Sequence, residues 1–370
     1  MALTNCLLAN IGTPLMWAGM FHLLFGNALI GIFEGLLLAR LFRVQHAHAI
    51  LSMCLANYAS MAIGVLGLGL KHVGFSSTLD WDVTILNAKG VLLIALVICI
   101  LLSAAFEWPF CYFALRGRSH RVRDSVAGSL VVQLASYAIL VPLYLVVSPV
   151  NVLTSLSVVS PSTIATSTSA DVYFIGRDDG DLHRVSLDGT DAARVAQAGL
   201  HDRFAQLFLA RSRSADTYDL GIRWGPEPCE ERIVAGDILP ANARIGDAAG
   251  DRNTPRDGWL AFGRAVNLQD ADQPQWEVNA GAWAAEGLHA TQAATHRDVH
   301  VALETPFLAW YSRCPSVLPN DLVVYQLDDQ IVLLDLNTRR IALLARGRSP
   351  LVVLRTPAPE GPTGTPSPTQ

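Results

Sequence analysis

Four long apolar runs fill most of the first 150 residues, over 15–41, 49–70, 91–115 and 125–147. Each reaches the roughly 20 residues that carry a helix across about 30 Å of hydrocarbon at 1.5 Å per residue. Charges fall almost entirely between the runs, so the pattern predicts four transmembrane helices over residues 1–150. The first run has no positive segment ahead of it and is too long for a cleavable signal. Cys6 follows "LTN", which lacks the small residue a lipoprotein signal places before its cysteine. The N-terminus is therefore expected to be retained.

The pattern changes after residue 150. Residues 151–170, "NVLTSLSVVSPSTIATSTSA", are half Ser and Thr. Such a stretch predicts a linker. Residues 171–355 show short β-rich runs between turn signals, with little helical period. They predict an all-β domain. The Pro-rich tail 356–370, "TPAPEGPTGTPSPTQ", is expected to be disordered.

Two stretches of the β domain match each other. "DVYFIGRDDGDLHRVSLDGTDAARVAQAG" starts at Asp171, and "DLVVYQLDDQIVLLDLNTRRIALLARG" starts at Asp321. Both read Asp, apolar strand, acidic turn, second strand, Asp/Asn turn, third strand, Gly. The turns use residues that tolerate left-handed backbone, and the match reads as an internal repeat. In "Leu-x-Arg-Val-x-Leu-Asp-Gly" at 182–189 these hairpins resemble blades of TolB-like bacterial β-propellers. That resemblance implies a propeller-like domain and transfers no site residue. Residues 200–320 fit the blade pattern poorly, which keeps a β-sandwich of hairpins as the alternative. The helical half is similar to uncharacterised bacterial inner-membrane proteins, which implies location and no activity.

Composition follows the same division. The chain is 51% hydrophobic and 16% charged, too apolar for an ordinary soluble protein. Residues 1–150 carry a net charge of +3 and residues 151–370 one of −8. The acidic half argues against a nucleic-acid partner, which needs clustered Lys and Arg. Arg40 and Arg43 lie between the first and second runs, and Arg116, Arg118, Arg121 and Arg123 between the third and fourth. Between the second and third, Lys71 and Lys89 are offset by Asp80 and Asp82. The positive-inside rule then places the first and third connections in the cytoplasm. The N-terminus, the 72–88 loop and the β domain are expected outside a bacterial inner membrane. Trp17, Trp81 and Tyr144 fall near the outer boundary, where aromatic rings prefer to sit.

No nucleophile elbow, His-Glu-x-x-His, Walker loop, dinucleotide fingerprint, Cys-x-x-Cys or Ca²⁺ loop occurs. His183, His201, His289, His296 and His300 show no ligand spacing. His46 and His48 have only His120 as a nearby third ligand, and His22 lacks a second axial partner for haem. The expectation is a protein with no catalytic residue, metal or cofactor. Cys229 and Cys314 are the two cysteines of the outer domain, and in an oxidising compartment such a pair is expected to bridge. The chain-entropy model assigns that bond roughly 4 kcal/mol. Cys6, Cys54, Cys99 and Cys111 read as small packing residues.

Four polar residues interrupt the apolar runs. Counted from the cytoplasmic ends, Glu34 lies roughly 9 Å deep, Asn57 and Gln133 roughly 12 Å, and Glu107 roughly 13 Å. Ionisable groups in a bilayer cost about 2.5–3.5 kcal/mol on insertion scales, so they face protein or water. Asn27 with Glu34, Asn57 with Ser60, Gly64 and Gly67, Ser103 with Glu107 and Cys111, and Ser129 with Gln133 and Ser136 each form one stripe. Gly31 and Gly35 add a small-xxx-small pair, and Pro109 is expected to kink the third helix. The pattern predicts a buried polar layer of Glu34, Asn57, Glu107 and Gln133.

Two roles compete for this layer. It fixes helix register, or its carboxylates bind a proton, a cation or a partner's basic residue. The leading expectation is a non-enzymatic, membrane-anchored extracytoplasmic binding or scaffold protein, an accessory subunit of an envelope or membrane complex with a protein partner. The alternative is a small transport or energy-coupling subunit working through Glu34 and Glu107.

Overall fold

The computed structural model describes residues 25–70, 82–165, 168–202, 204–212, 217–225, 230–240, 243–245, 262–269, 275–305 and 308–355. Two compact units result, one comprising residues 1–150 with 304–309, the other residues 151–303 with 310–370.

The first unit is helical. Its helices are α1 (Asn27–Phe42), α2 (His46–Leu70), α3 (Ala88–Ala114) and α4 (Arg121–Val147). α1 packs on α2, α2 on α3, α3 on α4, and α4 back on α1. Small residues permit the closest of these approaches. A Cβ on Gly31 would lie 2.6 Å from Cys54 Cα, and one on Gly35 2.4 Å from Ile50 Cα. The α1–α2 backbones therefore meet where two glycines one turn apart remove the obstacle. α1 ends at Arg43, in the left-handed region at φ 53°, whose N–H caps Ala39 O. α3 continues through Pro109 as one helix.

Burial in this unit runs opposite to that of a soluble bundle. Leu38, Ala39, Ala49, Met53, Ala56 and Cys111 form part of the apolar core. Large apolar side chains such as Leu93, Ile94, Leu101, Leu134, Ile139 and Leu143 face outward and are more than half exposed. Exposed apolar side chains in such number mark a surface covered by a membrane or by another protein. Among the described residues, α3 and the stretch Arg121–Val146 of α4 are long and apolar enough to cross a membrane. α1 has 16 described residues and α2 opens on His46 and His48.

The second unit is all-β apart from two short helical turns. Its main sheet is curled into a half-barrel. In order its strands are Val266–Asn267, Ser312–Leu318, Leu322–Leu327, Gln330–Asp335, Arg340–Leu354, Ala170–Gly176, Leu182–Ser186 and Ala193–Ala196. Two short strands, Ser157–Val158 and Arg244–Ile245, pair with Arg340–Leu354 off this path. The two repeated hairpin units are thus adjacent in space. Arg340–Leu354 pairs with Gln330–Asp335 through its first half and with Ala170–Gly176 through its second. One sheet runs through both repeats, where radial blades would form separate sheets.

The joint lies at "Arg348-Ser349-Pro350". Proline cannot donate to the ladder, and the register shifts between Arg348 and Leu351. Ser349 adopts φ 52°. Its N–H donates to Gln326 Oε1 at 2.8 Å, and its hydroxyl accepts from Leu207 N at 2.8 Å. Beyond the bulge, alternate side chains enter two cores. Val172, Phe174, Val352 and Leu354 join the core inside the curled sheet. Tyr173, Ile175, Leu351 and Val353 pack with Leu207, Phe208, Leu220 and Ile222. These come from the three-stranded sheet Gln206–Arg211, Thr217–Trp224, Glu230–Pro240. A four-stranded sheet adds Gly263–Arg264, Glu277–Ala280, Leu288–Gln292 and Arg297–Val301.

Residues 151–170 differ from the linker expected of them. They hold helical turns at Asn151–Thr154 and Pro161–Ile164 and the strand Ser157–Val158, which pairs in parallel with Arg340–Ile341. Val152, Leu156 and Ile164 are buried. The Ser/Thr count hides three apolar residues that anchor the segment, and Ser157 N and Val159 N donate to Arg339 O and Ile341 O. The tail 356–370 lies outside the described residues.

Candidate functional site

Glu34, Asn57, Glu107 and Gln133 each come from a different helix, and the structure brings all four together. Glu34 is fully buried, and the other three are at most 8% exposed. Asn57 Nδ2 donates to Glu34 Oε2 at 2.6 Å. Ser136 Oγ donates to Glu34 Oε1 at 2.5 Å, and Gln133 Nε2 reaches the same oxygen at 3.4 Å. The Gln133 amide also donates to Glu107 Oε2. One amide group therefore joins the two carboxylates, α1 to α3, from its position on α4.

Helix geometry explains the convergence. Gln133 and Ser136 are three residues apart and share one face of α4, so both reach Glu34 from one side. Asn57 reaches it from α2 and also donates to Met53 O at 3.1 Å, within its own helix. One turn from Glu107 and Asn57, Cys111 and Met53 close the layer with a sulfur contact of 3.6 Å. Further polar ties link α3 to α4. Ser129 Oγ donates to Ala104 O at 2.5 Å, Trp108 Nε1 to Ser125 Oγ at 2.9 Å, and Ser103 and Tyr137 meet at 3.4 Å.

A carboxylate buried without donors carries a large desolvation cost, and each donated hydrogen bond offsets part of it. Glu34 receives three from three side chains. No Lys, Arg or His contributes to these bonds among the described residues. The arrangement is therefore an acid–amide network, in which side-chain donors from α2 and α4 tie the acids of α1 and α3 together. The sequence places Ser136 on the stripe of Gln133 without showing its bond to Glu34. Its signal is the three-residue spacing from Gln133.

In the β unit, Cys314 stands in the strand Ser312–Leu318 at φ 48°. Cys229 lies outside the described residues, as does the bridge expected between them. The unit also has a polar cavity of about 270 Å³ whose lining includes Thr168, Ser186, Asp188, Thr190, Asp191 and Arg355. Two of its charged groups, Arg355 and Asp188, are engaged internally. Arg355 makes a two-point contact with Asp171 at 2.9 and 2.6 Å, and Asp188 accepts from Thr190. No protein-family model matches the chain, and neither a curated protein nor a solved structure matches it.

Proposed function

We propose that the chain is a multi-pass protein of a bacterial inner membrane. All four helices span, and the N-terminus and the β domain lie on the extracytoplasmic side. The helical unit anchors the β domain, which binds a protein or another envelope component as a non-enzymatic subunit of a larger complex. The observation that carries this reading is the occupancy of Glu34. Both its oxygens are taken up by donors from neighbouring helices, as a register lock requires.

A second reading has its own support. Glu34 and Glu107 share the single amide of Gln133 with no positive charge in the network, so two intramembrane acids stand at one site that a proton or cation would occupy. The pair would then serve transport or energy coupling. Affinity purification of the full chain from native membranes in mild detergent separates the two readings. Under the first, a partner co-purifies with both the wild type and a Glu34→Gln/Glu107→Gln variant. Under the second, the double variant abolishes activity while membrane insertion and the β domain are unchanged. Absence of any stoichiometric partner from the wild type contradicts the first.

A further inference from the structure

One end of the helical unit concentrates arginines that the polar network does not use. Arg40 lies in the last turn of α1 and Arg43 caps it. Arg116 and Arg118 follow α3, and Arg121 and Arg123 open α4. Asp124 is the one acid within residues 40–48 and 115–124, so the end carries a net +5. Its two connections are tied together by Arg118 Nη1, which donates to Phe42 O at 3.5 Å.

The arginines divide by what they touch. Asp124 is buried and takes Arg118 at 3.2 Å and Arg123 at 3.8 Å. Arg121 lies over the Tyr112 ring, 3.6 Å from its centroid, and donates to Tyr112 O at 2.6 Å. Arg40, Arg43 and Arg116 are exposed, and no acid among the described residues pairs with them. Immediately beside these charges, Leu41, Phe113 and Val122 are each more than half exposed.

Guanidinium groups bind phosphate oxygens through paired N–H donors. Apolar neighbours at the same level enter the boundary of the acyl region. An acidic protein or a nucleic acid would supply the phosphate or carboxylate and leave those apolar groups in water. We infer that Arg40, Arg43 and Arg116 form a collar that binds the headgroups of anionic phospholipids in the leaflet they face. This rests on the membrane-spanning reading above.

The test uses the full-length protein in detergent, incubated with equal amounts of phosphatidylglycerol and phosphatidylcholine. Native mass spectrometry counts the lipids retained. The wild type should retain phosphatidylglycerol in clear excess. Each arginine replaced by Gln should lower that excess about fivefold. The triple Arg→Gln variant should show no preference, whereas the triple Arg→Lys variant should keep most of it. Equal retention of the two lipids by the wild type overturns the inference. So does a triple Gln variant that binds like the wild type, or displacement of the lipid by millimolar inorganic phosphate, which would make the site one for free phosphate. Alkaline carbonate extraction of native membranes checks the underlying reading separately. Protein released by carbonate refutes the membrane-spanning reading, whereas protein that stays in the membrane and shows no lipid preference refutes only the collar.

Discussion

Asn57 on α2 donates its side-chain amide to Glu34 on α1 at 2.6 Å, across 23 residues of chain. The bond joins two helices between buried side chains, and Gln133 and Ser136 extend it to α4. Removing the acceptor breaks three bonds at once: Ser136 loses its acceptor, while Asn57 keeps Met53 O and Gln133 keeps Glu107. Glu34→Ala should destabilise the helical unit by about 1–3 kcal/mol for each donor left unsatisfied. Glu34→Gln should cost less, because its amide oxygen still accepts. Thermal unfolding of the two variants in one detergent checks the order, and equal losses would count against the network.

Close approach of α1 and α2 depends on two missing side chains. Gly35→Ala should force apart backbones that place Ile50 Cα 2.4 Å from the new Cβ, at a cost of about 1–3 kcal/mol. Gly90 has nothing within 4 Å of its Cβ position. Gly90→Ala should be neutral or stabilise by about 0.4–1 kcal/mol. Melting of both variants under matched conditions is the measurement.

The helical half is largely legible in the sequence, because a fixed rise of 1.5 Å per residue converts counting into depth. Glu34, Asn57, Glu107 and Gln133 can be set at one level by that arithmetic, and they occur in one hydrogen-bonded network. The β half is less legible because its pairings are non-local. Composition marks residues 151–170 as a tether, yet Val159 N bonds Ile341 O at 2.9 Å, far along the chain. The repeat at 171–199 and 321–347 is visible as text. That its two copies join in one sheet depends on the bulge at Ser349, a backbone feature that spacing does not reveal.

Asp181 gives the β unit a pH dependence. Backbone N–H groups of Ala198 and Gly199 donate to it at 2.8 and 2.9 Å, and Arg194 approaches at 3.1 Å. The two backbone donors, ahead of Arg194, hold its carboxyl below the usual range. A depressed carboxyl stabilises the fold above the unfolded-state pKa of about 3.9 and loses that contribution as pH falls through the folded value. Asp181→Asn should therefore weaken protection of the 193–200 segment in hydrogen exchange at pH 7. The difference from the wild type should shrink below about pH 4. A difference that grows on acidification would contradict this.

Cys229 and Cys314 are predicted to be bridged in protein taken from its native compartment. Non-reducing peptide mass spectrometry should find the pair two hydrogens lighter than the reduced peptides. Both thiols free would refute the bridge and weaken the case for an oxidising outer compartment.

The central claim is that the arginine end of the helices and the β domain lie on opposite sides of a membrane. That proposal rests on Arg116, Arg118, Arg121 and Arg123, which the positive-inside rule would assign to the cytoplasm. Topology reporters inserted at residue 120 and at residue 250 of the full chain test it most directly. The account predicts a cytoplasmic signal at 120 and an extracytoplasmic signal at 250. Signals from the same side at both positions would contradict it.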